Sequence, residues 1–196
     1  TRVTYIDRAE GIEQDLDLRT RCAHLTDLGS RDTFPFEERT FFAQAVAALQ
    51  RDDPDAVRAI IQRHAHSVWI GKGESQAQWG LIDAAAHLVE ACADYERQLP
   101  SHAQTQEKLV DFYLGSLRET DRRHRELEQA VSDHLDGDPT LDAVIGQARA
   151  RYRGLAEKIQ VVFTKHLEDA GWPPAGRLAN AEVFDDLVAP RLQESG

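Results

Sequence analysis

Six arginines are the residues of this chain whose type and spacing could do chemistry. A guanidinium group binds phosphate or carboxylate through two parallel hydrogen bonds, so a cluster of them could receive phosphates or an acidic partner surface. The six come as two groups of three around the turn signal Asp136-Gly-Asp-Pro139. They are Arg122, Arg123, Arg125, Arg149, Arg151 and Arg153, and we call them the arginine belt.

The alternative interpretation is that nearby carboxylates neutralise the belt. Oppositely charged side chains three or four residues apart pair on the surface of a helix. The acidic residues in question are Glu119, Asp121, Glu126 and Glu128. On this interpretation the arginines are paired within the chain, and no partner binds them.

Eight histidines raise the possibility of a metal site, but their spacing does not support one. His64 and His66 are two residues apart and point away from each other on a helix. His124, His134 and His166 fall on apolar stripes, where partly buried, hydrogen-bonded histidines are expected. An enzyme site built from these histidines and nearby carboxylates is the least supported hypothesis, because no set of nucleophile, base and orienting group is recognisable. We therefore expect no catalytic residue, no metal and no cofactor.

Two helices must position the belt. Apolar residues recur at alternating spacings of four and three, as in a heptad pattern, on both sides of the turn. The stripes are Tyr113, Leu117, Thr120, His124, Leu127, Val131 and His134, then Leu141, Ile145, Ala148, Tyr152, Leu155, Ile159, Val162 and His166. Because the turn is very short, the helices must lie antiparallel, with partner residue numbers summing to about 275. This register pairs Leu127 with Ala148 and His124 with Tyr152, and it brings the belt arginines to one level.

The rest of the chain also predicts helices, because strand-like alternation is nearly absent. Asp53-Pro54 is a helix-start signal and Pro100-Ser101 a stop signal. We predict an all-α fold, a helical bundle with a long antiparallel heptad-patterned helical hairpin. Residues 1–100 form the bundle subdomain, residues 101–170 the hairpin, and residues 171–196 a Trp-Pro-Pro turn and a short linker helix.

The last segment has an apolar stripe of its own, which follows a helix-cap signal at Asn180. Together with the tryptophan of the preceding turn, its residues are Trp172, Val183, Phe184, Leu187 and Val188. Burial against the hairpin explains them, and so does contact with a missing downstream domain. The two explanations are not exclusive.

Composition limits the partners. A net charge of −11 and an isoelectric point near 5.1 argue against broad nucleic-acid binding by the surface. No apolar run approaches the roughly 20 residues of a membrane helix, so we expect no membrane partner. Cys22 and Cys92 are expected to be buried, unpaired thiols in a reducing cytoplasm. The absence of methionine predicts that the chain is a fragment or a processed product.

Aromatic and proline positions over residues 60–196 resemble one known family. The matching positions are His66-Ser-Val-Trp69, Trp79, Leu155-Ala-Glu-Lys-Ile-Gln160, Phe163, Gly171-Trp-Pro173, Val183-Phe-Asp185 and Val188-Ala-Pro-Arg-Leu192. They resemble the segment ahead of the catalytic domain in the PglZ family, components of the bacterial phage-defence systems called phage growth limitation and BREX. The resemblance implies that a strand and an alkaline-phosphatase-like domain with metal-binding acidic residues begin after Gly196. None of those catalytic positions lies in this sequence.

Two functions follow as expectations. The resemblance implies a non-catalytic helical accessory domain of a PglZ-like antiphage protein, which positions the downstream phosphatase-like domain or docks other defence-system proteins. The alternative is a free-standing cytoplasmic helical adaptor or regulator that binds a partner through its hairpin. An apolar strand and an Asp-rich turn encoded after Gly196 would favour the first function, and a stop codon the second.

Overall fold

A computed structural model describes residues 2–70, 73–134, 138–174, 176–177 and 189–194. Every regular element in this described part is helical, which confirms the predicted all-α class. The elements are α1 (Arg2–Asp15), α2 (Leu18–Arg21), α3 (Pro35–Gln50), α4 (Pro54–Arg63), α5 (Gly73–His102), α6 (Gln106–Phe112), a π-helical segment (Tyr113–Leu117), α7 (Arg118–Asp133), α8 (Pro139–Ala170) and α9 (Ala189–Glu194). None of the described helices is both long enough and apolar enough to cross a membrane.

The chain divides into two compact units, each made of two stretches of sequence. Unit 1 contains residues 1–94 and 119–153, and unit 2 contains residues 95–118 and 154–196. The boundaries of the units fall inside helices α5, α7 and α8. They therefore differ from the borders that turn signals in the sequence indicate, at residues 100 and 170.

Side-chain caps explain where the helices of unit 1 begin. The carboxylate of Asp53 accepts the backbone N–H of Ala56 at 3.0 Å, which confirms the predicted start of α4. Ahead of α3, the carboxylate of Glu37 accepts the N–H groups of Thr33 and Phe34 at 2.6 and 2.9 Å. The Asp53 bond satisfies a donor in the first turn of α4 that the helix would otherwise leave unpaired, and the Glu37 bonds hold the two residues that precede α3.

Helices α3, α4, α5, α7 and α8 all contribute fully buried side chains to unit 1. The largest of these are Leu49, Val57, Leu81, Ile82, Leu88, Leu127, Leu141 and Val144. Cys92 is buried as expected, whereas Cys22, which was also expected to be buried, is only half-buried; neither forms a disulfide bond.

Within unit 1, α7 and α8 touch at the residues that the predicted register pairs. The rings of His124 and Tyr152 stack with their centroids 4.2 Å apart, and the hydroxyl of Tyr152 donates to Asp121 at 2.9 Å. Leu127 and Ala148 are both fully buried. The expected proximity of His124 and Tyr152 is confirmed, whereas a hairpin over the whole of residues 101–170 stays a prediction.

The predicted stripe is wrong at Tyr113. This side chain is 43% exposed, whereas Phe112 is 5% exposed and Leu117 is fully buried. The segment from Tyr113 to Leu117 is π-helical, so it contains more residues per turn than an α-helix. The five-residue step from Phe112 to Leu117 therefore keeps the buried stripe in line and turns Tyr113 towards solvent.

The predicted helix stop at Pro100 is also wrong. Helix α5 continues through Pro100 to His102, and the next helix begins only after Thr105, whose hydroxyl accepts the N–H of Lys108 at 3.3 Å. A proline removes one backbone hydrogen bond from a helix. Pro100 lies in the last turn of α5, so the helix loses only this one backbone hydrogen bond before it ends at His102.

Candidate interaction surfaces

Carboxylates of the same helix hold the α7 half of the arginine belt. Arg122 donates hydrogen bonds to Glu119 and Glu126 at 2.8 Å each. Arg123 lies 2.9 Å from Glu119 and 3.0 Å from Glu126. Spacings of three and four residues place the four side chains on neighbouring turns, where they form one ion-pair network.

The α8 half of the belt pairs with other elements of unit 1. Arg149 donates two hydrogen bonds to Glu128 of α7, at 2.7 and 2.6 Å, in the bidentate geometry that favours this pair. Arg151 donates to Asp52 at 3.2 Å. Asp52 adopts a left-handed backbone conformation, φ 65°, in the connection from α3 to α4. Sequence reasoning missed Asp52, because nothing local indicates that this turn lies beside α8.

The ion pairs shift the pKa values of their members. The hydrogen bond from Arg149 lowers the pKa of Glu128, and the bond from Arg122 lowers the pKa of Glu119. The bond to Glu128 in turn raises the pKa of Arg149. Each shift favours the charged form, so these carboxylates and guanidinium groups remain paired at neutral pH.

Two belt arginines differ from the other four. Arg125 and Arg153 are exposed, and neither has an ion-pair partner in the part of the chain that the structure describes. Asp121, one of the carboxylates expected to neutralise the belt, accepts the hydroxyl of Tyr152. In the described part of the chain, the belt therefore has two exposed guanidinium groups without an ion-pair partner, and its other four arginines are paired.

The three stripe histidines have different surroundings. His124 stacks on Tyr152 and lies 3.4 Å from Glu128, and His166 Nε2 lies 2.9 Å from the carbonyl oxygen of Ala103. His134 Nε2 is buried without a hydrogen-bond partner among the described residues. Over the described ranges, no group of three or more His, Cys, Asp or Glu side chains is placed to hold a metal ion.

A fourth histidine, in unit 1, is more buried than these three. His64 is 3% exposed, its ring stacks on Phe41 at 3.5 Å, and its Nε2 has no hydrogen-bond partner among the described residues. Burial lowers the pKa of His64, against the opposing attraction of Asp32. His64 is the residue directly after α4, four residues after Ile60 and seven after Val57, and this apolar spacing is the sequence signal for its burial.

Trp172, predicted as an interdomain contact, lies in unit 2. Its side chain is 51% exposed and packs edge-to-face on Phe163, with centroids 5.5 Å apart. The preceding Gly171 ends α8 in a left-handed conformation, φ 76°, and its carbonyl oxygen accepts the side-chain amide of Gln106 at 2.7 Å. Arg177, five residues after Trp172, pairs with Asp111 of α6. The exposed indole therefore lies on a segment held at both ends.

The other predicted interdomain contacts are Val183, Phe184, Leu187 and Val188. They lie outside the described residues.

Comparison of the chain with protein-family models, with curated proteins and with solved structures gave no match.

Proposed function

We propose that this chain is a non-catalytic helical interaction domain. In this proposal it belongs to a PglZ-like antiphage protein, in which it positions a downstream phosphatase-like domain or docks other defence-system proteins. The observation that carries the interaction role is the half-exposed Trp172 on its anchored segment. The sequence resemblance over residues 60–196 is the argument for the particular family.

An anchored tryptophan suits a protein interface for a physical reason. Tryptophan buries a large apolar area with few rotatable bonds, and it is enriched among the residues that dominate binding energy. Phe163 already restricts the indole of Trp172, and the bonds of Gly171 and Arg177 restrict the backbone on either side. Binding therefore costs little additional conformational entropy.

The pairing within the arginine belt supports the same role. Arg122, Arg123, Arg149 and Arg151 contact carboxylates of their own unit, so a phosphate would have to displace these partners. This favours apolar contact by unit 2 over phosphate binding by the belt as the first function to test.

The test begins with the coding sequence after Gly196. An apolar strand followed by an Asp-rich turn supports the PglZ-like placement, and a stop codon contradicts it. In the full-length protein, Trp172→Ala should speed amide hydrogen exchange at the contact surface of the downstream domain and reduce protection against phage in a plating assay.

Leu16→Ala is the matched control for this variant. Leu16 is also 51% exposed, but it follows α1 in unit 1 and has no part in the proposed contact. This control should leave both readouts unchanged. If the two variants have equal amide hydrogen exchange and equal protection against phage, Trp172 is not part of the interface.

A further inference from the structure

An open groove of about 520 Å³ lies in unit 1, between one face of α5 and one face of α7. Its floor consists of residues with no side-chain atoms beyond Cβ, namely Ala77, Gly80 and Ala84 of α5 and Ala130 of α7. The α5 residues recur at spacings of three and four, so they share one face of the helix. Short side chains at a contact allow two helix axes to approach closely.

The dimensions of the groove suit a helix. The lining residues extend from Gln76 to His87 on α5 and from Arg123 to Asp133 on α7. At about 1.5 Å per residue, each wall is roughly 15 Å long, which is about three helical turns.

The space above Gly80 is open. A Cβ atom placed on Gly80 would meet no atom within 4 Å apart from the adjoining residues and backbone of its own helix. A side chain introduced here would therefore start in open space, and a large one would extend into the groove.

The rim of the groove is acidic. Asp83 and Asp133 line it with Glu126, and the basic Arg123 already bridges Glu126 and Glu119. The other basic residue that lines the groove is His87, whose ring lies 3.7 Å from Asp83. Two copies of a chain with net charge −11 would repel one another at such a surface, whereas a basic segment would be attracted.

We propose that this groove binds a partner helix of about three turns, with small apolar residues on its contact face and Lys or Arg on its flanks. The floor gives shape complementarity, and the rim carboxylates of Asp83 and Asp133 give orientation and charge selectivity. The proposal does not depend on Trp172, which belongs to unit 2.

A synthetic helical peptide provides the probe. It has capped ends, about 15 residues, alanine on one face and lysine on both flanks; a second peptide has glutamate in place of each lysine. Both are titrated into the isotope-labelled full chain up to about 1 mM while backbone amide shifts are recorded. We expect the lysine peptide to shift the amides of Gly80, Ala84 and Ala130, and the glutamate peptide to bind at least tenfold more weakly.

Two glycine variants decide whether the groove itself is responsible. Gly80→Leu fills the groove and should abolish the shifts. Gly146→Leu is the matched control, since Gly146 is also an exposed helical glycine with open space around its Cβ position but lies outside the groove. It should bind the lysine peptide like the parent chain.

Three results would overturn the proposal. One is the absence of shifts at the highest peptide concentration, and another is binding that Gly80→Leu does not weaken. The third is a dimer in sedimentation that Gly80→Leu dissociates, which would assign the groove to a second copy. Trp172→Ala should leave peptide binding intact, so a failure of this proposal is distinguishable from a failure of the proposed interdomain role.

Discussion

The two units present different kinds of surface. In unit 1 the long charged side chains are largely paired with each other, as in Arg58 with Glu90, and one open feature is the groove lined by alanine and glycine between α5 and α7. Among the described residues, the large apolar side chains that unit 1 exposes lie on α1 or directly after it, at Tyr5, Ile12 and Leu16, whereas unit 2 exposes Leu114, Val161 and Trp172, at 50, 70 and 51%, on three different elements. The groove of unit 1 is therefore suited to recognition by shape and charge, and the exposed apolar side chains of unit 2 are suited to serve as anchors.

The largest expected effect contrasts a buried stripe residue of unit 1 with an exposed one of unit 2. Leu127→Ala removes a fully buried side chain and should lower the free energy of unfolding by about 3 kcal/mol, through lost apolar burial and a residual cavity. Tyr113→Ala should lower it by about 1 kcal/mol or less, because the π-helical segment turns this residue outwards and leaves it 43% exposed. Urea unfolding followed by circular dichroism measures both. Equal losses of stability in the two variants would show that Tyr113 is buried like Leu127, as the heptad pattern predicts.

These two residues also show how far the sequence predicts the fold. The heptad pattern places His124 beside Tyr152 correctly, because apolar spacing alone sets which faces two antiparallel helices present. The same pattern assigns Tyr113 to the stripe, because a π-helical segment adds a residue that no α-helical period anticipates. The sequence signal for the π-helical segment is the spacing of five residues between the apolar Phe112 and Leu117. A search for spacings of three and four residues alone does not find it.

The candidate surfaces were predictable to different degrees. The carboxylates Glu119 and Glu126 are found by counting along one helix, and they do pair with belt arginines. Asp52 is 99 residues from Arg151 in sequence, so their contact depends on tertiary packing that local patterns do not contain. The groove at Gly80 was missed for the same reason, since it needs the relative position of α5 and α7 within unit 1.

His64 of unit 1 has a pKa that is shifted mainly by burial rather than by an ion pair. Burial lowers the pKa of His64, so the folded chain binds fewer protons than the unfolded chain below about pH 6.5. The contribution of neutral His64 to the free energy of unfolding is therefore complete above this pH, and it falls as the pH drops from about 6.5 towards the lower folded-state pKa. His64→Phe keeps a ring against Phe41 and should flatten this part of a plot of urea midpoint against pH.

The exposed His66 supplies the control for this experiment. His66→Phe changes the same residue type two positions away, on a side chain that solvent already reaches. It should leave the pH dependence as in the parent chain. A parent chain whose stability is constant between pH 7 and pH 5 would show that His64 is not held neutral by the fold.

A smaller effect at lower pH tests the paired part of the belt. The pKa of Glu128 is lowered by Arg149, so this pair stabilises the fold above the unfolded-state pKa of about 4.5 and is lost as the pH falls below that value. Both side chains are more than a third exposed, at 39 and 38%, so solvent screening limits the contribution to about 0.5 kcal/mol. Glu128→Gln should cost this amount at pH 7 and nothing at pH 3 in urea unfolding. A constant difference at both pH values would assign the effect to packing.

The smallest effect on stability is expected at the two belt arginines without ion-pair partners in the described chain. Arg125→Gln combined with Arg153→Gln breaks no observed ion pair, so the urea midpoint should match that of the parent chain. Arg123→Glu combined with Arg151→Glu should lower the midpoint, because it breaks the contacts with Glu119, Glu126 and Asp52. Titration of both double variants with inorganic phosphate then separates stability from binding. If the parent chain binds phosphate and only the Arg125→Gln, Arg153→Gln variant loses this binding, Arg125 and Arg153 form an anion site. Unit 1 would then have a charged binding site in addition to its groove. Phosphate binding by none of the three proteins would leave the belt as a set of structural ion pairs.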